Sequence, residues 1–236
     1  MALDAARDKL IVALDLPDPE EAHAFTLRLG DRVSFYKIGL ELAMCGGLDL
    51  ARELADTGKR VFLDMKLLDI ENTVERAVRN AATTGVTFLT VHGHDSKTLR
   101  AAAAGKVGTN LKILAVTVLT NLDAADLAEQ GVAEIPAQTV VRRARLARAA
   151  GCDGVVASGQ EAQAVRDAIG SGMVLVTPGI RMASGAAGDQ ARVTTPQAAI
   201  AAGADYLVVG RPITQAADPE RAAEQFAAAI GEALGR

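Results

Sequence analysis

Short apolar runs alternate with longer amphipathic, Ala-rich segments along the whole chain. The apolar runs occupy residues 9–16, 34–40, 60–67, 87–93, 112–119, 154–158, 173–180 and 206–211. Several carry Val, Ile or Leu at consecutive positions, the pattern of strands buried on both faces of a parallel sheet. The segments between them predict helices over 18–29, 48–56, 70–84, 97–104, 136–150, 160–169, 196–202 and 219–234. Pro17-Asp18-Pro19 opens the first helix and Gly30 closes it, as suits a helix start and end. Gly58, Gly85, Gly105, Gly151 and Gly203 each follow a helical stretch. Eight strand–helix alternations imply a parallel sheet with right-handed crossovers. Eight parallel strands can close on themselves, so the predicted fold is an α/β (β/α)8 TIM barrel. A doubly wound open sheet is the second choice. The chain has 236 residues, near the roughly 250 of such a barrel. No linker, low-complexity tract or charge block divides it, so residues 1–236 are read as a single barrel domain.

Composition refines this picture. Half of the residues are hydrophobic, 3% are aromatic and none is Trp, so a core of Val, Leu, Ile and Ala is expected. The formal net charge of −4 argues against a nucleic-acid partner, which would call for a basic face. It leaves room for a local basic pocket. Cys45 and Cys152 have no metal or redox spacing, and the default is a reducing compartment. The first ten residues include Asp4, Arg7, Asp8 and Lys9 and hold no apolar signal core. No stretch approaches the roughly 18 apolar residues of a membrane span. A cytoplasmic protein with no membrane partner is expected.

In a barrel, active residues lie at the C-terminal ends of the strands and in the loops beyond. Charged residues interrupt the apolar strands there. Strand 1 ends at Asp15, strand 2 carries Lys37, and strand 3 reads Leu63-Asp64-Met65-Lys66-Leu67-Leu68-Asp69-Ile70. Side chains alternate along a strand, which puts Asp64 and Lys66 on one side. Asp69 falls after the strand, where an acid suits a helix start. Buried charges must be paired, and two lysines with two or three aspartates can alternate and satisfy one another. The plainer alternative is a set of solvated surface ion pairs. Thr90 and His92 lie on strand 4, and His92 is assigned no catalytic role. Cys45 and Cys152 are read as small structural residues, and His23 as a solvent-facing helix residue.

Strand 7 leads into Thr177-Pro178-Gly179-Ile180-Arg181 and a Gly- and Ala-rich loop, 182–190, with the look of a lid. Strand 8 ends in Val209-Gly210-Arg211-Pro212. Barrels frequently hold a phosphate with the loops after these two strands. Glycine lets backbone N–H groups approach an anion, and arginine adds a planar fork of charged donors. Arg181 and Arg211 are the phosphate candidates. The alternative is structural punctuation with two surface arginines.

Taken together, Asp15, Lys37, the run Asp64 to Ile70 with Thr73, Leu119-Thr120, Thr177 to Arg181, Gln190 and Val209 to Pro212 resemble the orotidine 5′-phosphate decarboxylase family. The resemblance runs nearly end to end. Asp-x-Lys-x-x-Asp alone is shared with magnesium-dependent sugar-phosphate lyases of the same suprafamily. Those relatives are expected to carry an acid where this chain has Lys37. The loop Gly93-His94-Asp95-Ser96 departs from the small, Gly-rich run often found in the family. The resemblance implies decarboxylation of orotidine 5′-phosphate to UMP, with no metal and no cofactor, by a homodimer. It implies a catalytic set of Lys37, Asp64, Lys66 and Asp69, in which Lys66 protonates C6, Asp64 lies against the substrate carboxylate, and Lys37 pairs with the carboxylates and, with Asp15, binds the ribose. Asp69 and Thr73 would reach the partner's site, and Ile70 and Pro178 would help to line the substrate site. Thr120 would contact the pyrimidine. Arg181, Gln190, Gly210 and Arg211 would grip the phosphate, with Gln190 bridging towards the base. The rivals are a magnesium-dependent sugar-phosphate lyase and a non-catalytic phosphometabolite-binding barrel.

Overall fold

A computed structural model describes residues 2–183 and 194–235. Eight parallel strands close into a barrel in sequence order. They are β1 (Leu10–Ala13), β2 (Phe35–Ile38), β3 (Arg60–Leu67), β4 (Phe88–His92), β5 (Lys112–Val116), β6 (Gly154–Val156), β7 (Val174–Thr177) and β8 (Tyr206–Val209). β1 pairs with both β2 and β8, which shuts the sheet. The (β/α)8 barrel is thus the fold, and the open-sheet alternative falls away.

Every predicted helix is present, three with the predicted bounds: Leu48–Asp56, Pro136–Ala150 and Pro219–Leu234. The first begins at Pro19, with Asp18 accepting the N–H groups of Glu20 and Glu21 at 2.7 and 3.1 Å. Such a cap satisfies donors that a helix start leaves unpaired. The unusual loop after β4 has the same explanation. Asp95 accepts from the N–H groups of Lys97 and Thr98 and starts the helix Ser96–Gly105. Gly105 is the last residue of that helix instead of following it, and a Cβ there would strike the carbonyl of Glu75.

Two cores differ in kind. The layer between barrel and helices is mainly Leu, Val, Ile and Ala, as composition implies. The lumen departs from that expectation. Phe35, Phe62 and Phe88, three of the five phenylalanines, meet there with Ile11, Leu114, Val176 and Val208. Ring centroids of Phe35 and Phe88 are 5.1 Å apart, and those of Phe88 and Tyr206 5.3 Å. The Arg60 guanidinium covers Phe35 at 4.5 Å and is held by Asp8. Scarce aromatics are therefore concentrated where a converging ring of strands needs large rigid fillers. Burial of each ring contributes about 1.5–3 kcal/mol. This floor leaves the opposite, C-terminal mouth for chemistry.

The strands end earlier at that mouth than the apolar runs suggest. Asp15, Gly39, Pro178, Gly210 and Arg211 all lie beyond the last paired residue of their strands. Pro178 has no N–H to donate to a ladder. Gly210-Arg211 turns instead into a short helix, Arg211–Thr214.

Candidate active site

Side chains at the ends of β1 to β4 build a chain of alternating charge. Lys37 Nζ lies 2.8 Å from Asp15 Oδ1 and 3.7 Å from Asp64 Oδ2. Lys66 Nζ lies 2.9 Å from the same Asp64 oxygen. Asp64 and Lys66 do come together, as expected, although through an irregular stretch of β3 and not through regular alternation. Lys37 is only 8% exposed, so its charge depends on its two carboxylate neighbours. Burial pushes the Asp64 carboxyl up. Lys37 and Lys66 outweigh this, with hydrogen bonds from Lys66 and Thr90, and hold it below the ordinary aspartate value.

Gly39 makes room for this network. A Cβ there would sit 3.1 Å from Lys37 Nζ and 3.2 Å from Asp15 Oδ1. The charged chain lines a cavity of about 580 Å³, which is also lined by Thr120, Pro178, Arg181, Gly210 and Arg211. Gly179, at φ +75°, turns the chain there. Arg181 N–H then donates to the Thr194 carbonyl at 3.0 Å. The cavity brings together four basic side chains (Lys37, Lys66, Arg181, Arg211) and three acidic ones (Asp15, Glu41, Asp64). An excess of cations in a chain of net charge −4 favours an anionic ligand.

Three predicted site residues do not enter this cavity. Asp69, Ile70 and Thr73 are exposed on the ridge after β3, where Asp69 Oδ1 accepts the Ile70 N–H at 2.6 Å. Gln190 lies outside the described residues. Conversely, Glu41, Ser158 and Gln215 line the cavity and are not singled out in the sequence, although Ser158 ends the apolar run 154–158. Gln215 follows a four-residue helix too short to show periodicity, although Pro212 in its first turn is a recognised start signal.

The remaining polar residues have structural settings. His92 is half-buried and stacks on His94, with centroids 4.7 Å apart. Burial, then Lys66 and Arg143, lowers the His92 pKa, against the pull of Asp64. Burial also pushes the Cys152 thiol up to about 12. Cys45 is exposed, and its Sγ donates to the Pro17 carbonyl at 3.3 Å. His23 pairs with Glu53 at 3.2 Å near the surface.

Fold and site define a (β/α)8 barrel with a charged, anion-accepting mouth at the C-terminal ends of its strands. The profile of the orotidine 5′-phosphate decarboxylase / HUMPS family matches residues 8–226, and the chain belongs to that family. It is 55% identical over 230 residues to an orotidine 5′-phosphate decarboxylase of Rhodopseudomonas palustris (strain BisA53), covering 98% of this chain and 96% of that one. It is 56% identical over 227 residues to one from Methylorubrum extorquens (strain PA1), covering 96% and 97%. Among solved structures, orotidine 5′-phosphate decarboxylase from Lactobacillus acidophilus superposes with a TM-score of 0.83 at 36% identity, over 94% of this chain and 98% of that one. The enzyme from Pyrococcus horikoshii OT3 gives 0.75 at 26% identity, over 94% and 98%.

Proposed function

We propose that this protein decarboxylates orotidine 5′-phosphate to UMP and CO2, a step of pyrimidine biosynthesis, with Lys66 as proton donor. The observation that carries the reading is the chain Asp15–Lys37–Asp64–Lys66, sharing one cavity with Arg181 and Arg211. Loss of CO2 from orotate leaves an electron pair at C6 in the ring plane, without π delocalisation. The site must stabilise that charge and supply a proton. The Lys66 ammonium does both. Asp64, kept ionised by two lysines, opposes a carboxylate seated against it, and the repulsion is relieved as CO2 departs.

Asp15 and Lys37 bind the ribose, and Thr120 contacts the pyrimidine. Arg181, Gly210 and Arg211 hold the phosphate beside Pro178, and Gln190 is assigned to the same task. Binding energy from the remote phosphate is then available to the transition state. No metal or cofactor takes part. Lys37 supports this, because its own charge lies between the carboxylates of Asp15 and Asp64 where a cation would otherwise be held. A magnesium-dependent lyase is therefore not favoured.

The working unit is a homodimer of single-domain chains, residues 1–236, in which Asp69 and Thr73 meet the partner's site. Supporting this, Leu68 and Ile70 are 52% and 72% exposed on the same ridge as Asp69 and Thr73. The enzyme works in the cytoplasm. In support, no described helix is long and apolar enough to cross a membrane, and both cysteines are free.

The deciding experiment is an ultraviolet assay of orotidine 5′-phosphate loss by purified protein in excess EDTA, with Lys66→Ala as control. Conversion by the wild type alone is expected. A folded, dimeric protein that leaves the substrate unchanged refutes the reading.

A further inference from the structure

Strand β3 presents Asp64 and Lys66 through an irregularity. Leu63 is level with Leu89 of β4, and Leu67 with Val91. β3 thus spends four residues where β4 advances by two, and Asp64, Met65 and Lys66 take up the surplus. Within it, Lys66 adopts φ +50°, alone among the described non-glycine residues in having a positive φ. A side chain bearing a Cβ is disfavoured there, and such a backbone persists only where its surroundings hold it.

Thr90 is the β4 residue opposite the surplus, and it is fully buried. Its hydroxyl oxygen accepts the Lys66 N–H at 2.9 Å. Its proton goes to Asp64 Oδ1, also at 2.9 Å. The directions are forced, because an amide N–H only donates and an ionised carboxylate only accepts. One hydroxyl therefore replaces the missing ladder bond at Lys66 and fixes the rotation of the Asp64 carboxylate. With Oδ1 engaged, Oδ2 is the oxygen turned towards the two lysines.

We propose that Thr90 is a positioning residue for decarboxylation, its hydroxyl locking the left-handed backbone of Lys66 and the carboxylate plane of Asp64 into one geometry. The proposal rests on Lys66 and Asp64 being the reacting pair. A group that holds reacting atoms in place acts on turnover more than on ground-state binding.

The test compares Thr90→Val, Thr90→Ser, Thr90→Ala and Lys66→Ala, each checked for fold and dimer. It reads kcat and KM for orotidine 5′-phosphate, and UMP affinity by calorimetry. Thr90→Val keeps the shape and loses the hydroxyl, and its kcat is expected to fall by about tenfold to a hundredfold. Its UMP affinity should stay within about threefold, and Thr90→Ser should keep kcat within about threefold of wild type. A Thr90→Val kcat less than about tenfold reduced, or a loss expressed in KM, overturns the proposal. So does a Thr90→Ser enzyme as impaired as Thr90→Val. Should Thr90→Val not fold, Ser against Ala decides: a higher kcat in Thr90→Ser upholds the role of the hydroxyl, and equal kcat overturns it. Lys66→Ala separates the two levels. Its near-wild-type turnover would remove the catalytic reading itself, whereas its inactivity beside a fully active Thr90→Val removes the role of Thr90 alone.

Discussion

Lys66 Nζ stands 2.9 Å from Asp64 Oδ2, the oxygen that Lys37 also approaches, at 3.7 Å. One carboxylate oxygen thus serves two ammonium groups, of which Lys66 is the proposed proton donor. Lys66→Ala removes the proposed proton donor but leaves Asp64 paired with Lys37 and Thr90. Turnover is expected to fall far more than tenfold, beyond about 1.4 kcal/mol of barrier, while some UMP affinity remains. Steady-state kinetics and calorimetry check both halves.

Arg211 opens the short helix after β8 and faces the cavity with Gly210. A charge-assisted hydrogen bond contributes about 1.5–3 kcal/mol, so Arg211→Ala should weaken UMP binding by at least about tenfold. Uridine, lacking the phosphate, should bind wild type and variant alike. Unchanged UMP affinity would remove Arg211 from the phosphate site.

Gly39→Ala tests the crowding around Lys37 and Asp15. The backbone is extended there (φ −95°, ψ −174°) and accepts alanine. The added methyl meets only the ends of two side chains, which can shift by a few tenths of an ångström. The melting temperature should barely change, while KM rises several-fold. An unaltered KM would show that the Lys37–Asp15 spacing is not critical for binding.

Asp64 gives a pH signature. Its folded pKa lies below the ordinary 3.8, so its ionised form stabilises the fold above the unfolded value. That contribution is lost as pH falls through the folded one. The difference in unfolding free energy between wild type and Asp64→Asn should be level from about pH 7 to 5 and shrink below about pH 4. A difference constant throughout would contradict the pairing.

The chain has three histidines, few enough to follow individually by NMR. Burial, then Arg143 and His92, lowers the pKa of His94 to about 4, against Asp95. The folded protein then binds fewer protons at His94 than the unfolded chain does between about pH 4 and 6.5. The stabilisation is complete above the upper value and is lost as pH falls towards the lower. His94→Gln should flatten the stability profile in that window, and a His94 midpoint near 6.5 would refute the assignment.

The strand–helix alternation was legible because buried parallel strands and amphipathic helices leave different periodicities. Asp64 and Lys66 were placed on one side by strand alternation, and they are together. The means differ, since β3 bulges and Lys66 turns left-handed. No local pattern encodes that, because the restraining hydroxyl of Thr90 comes from 24 residues away. Arg181 and Arg211 stood out as charges beside glycines. Glu41 and Ser158 did not, since a one-turn helix and a strand-end residue without charge acquire their neighbours only when the barrel closes. The aromatic lumen was hidden for the opposite reason: composition counts Phe35, Phe62 and Phe88 but not their convergence.

That floor of rings, capped by Arg60, also governs traffic. It seals the lumen beneath Lys37 and Asp64, so nothing formed above it drains downwards. In the proposed reaction, carbon dioxide then leaves by the same mouth that admits the nucleotide, past Arg181 and Arg211. Gas and product share one exit, and the order of their departure becomes part of the catalytic cycle.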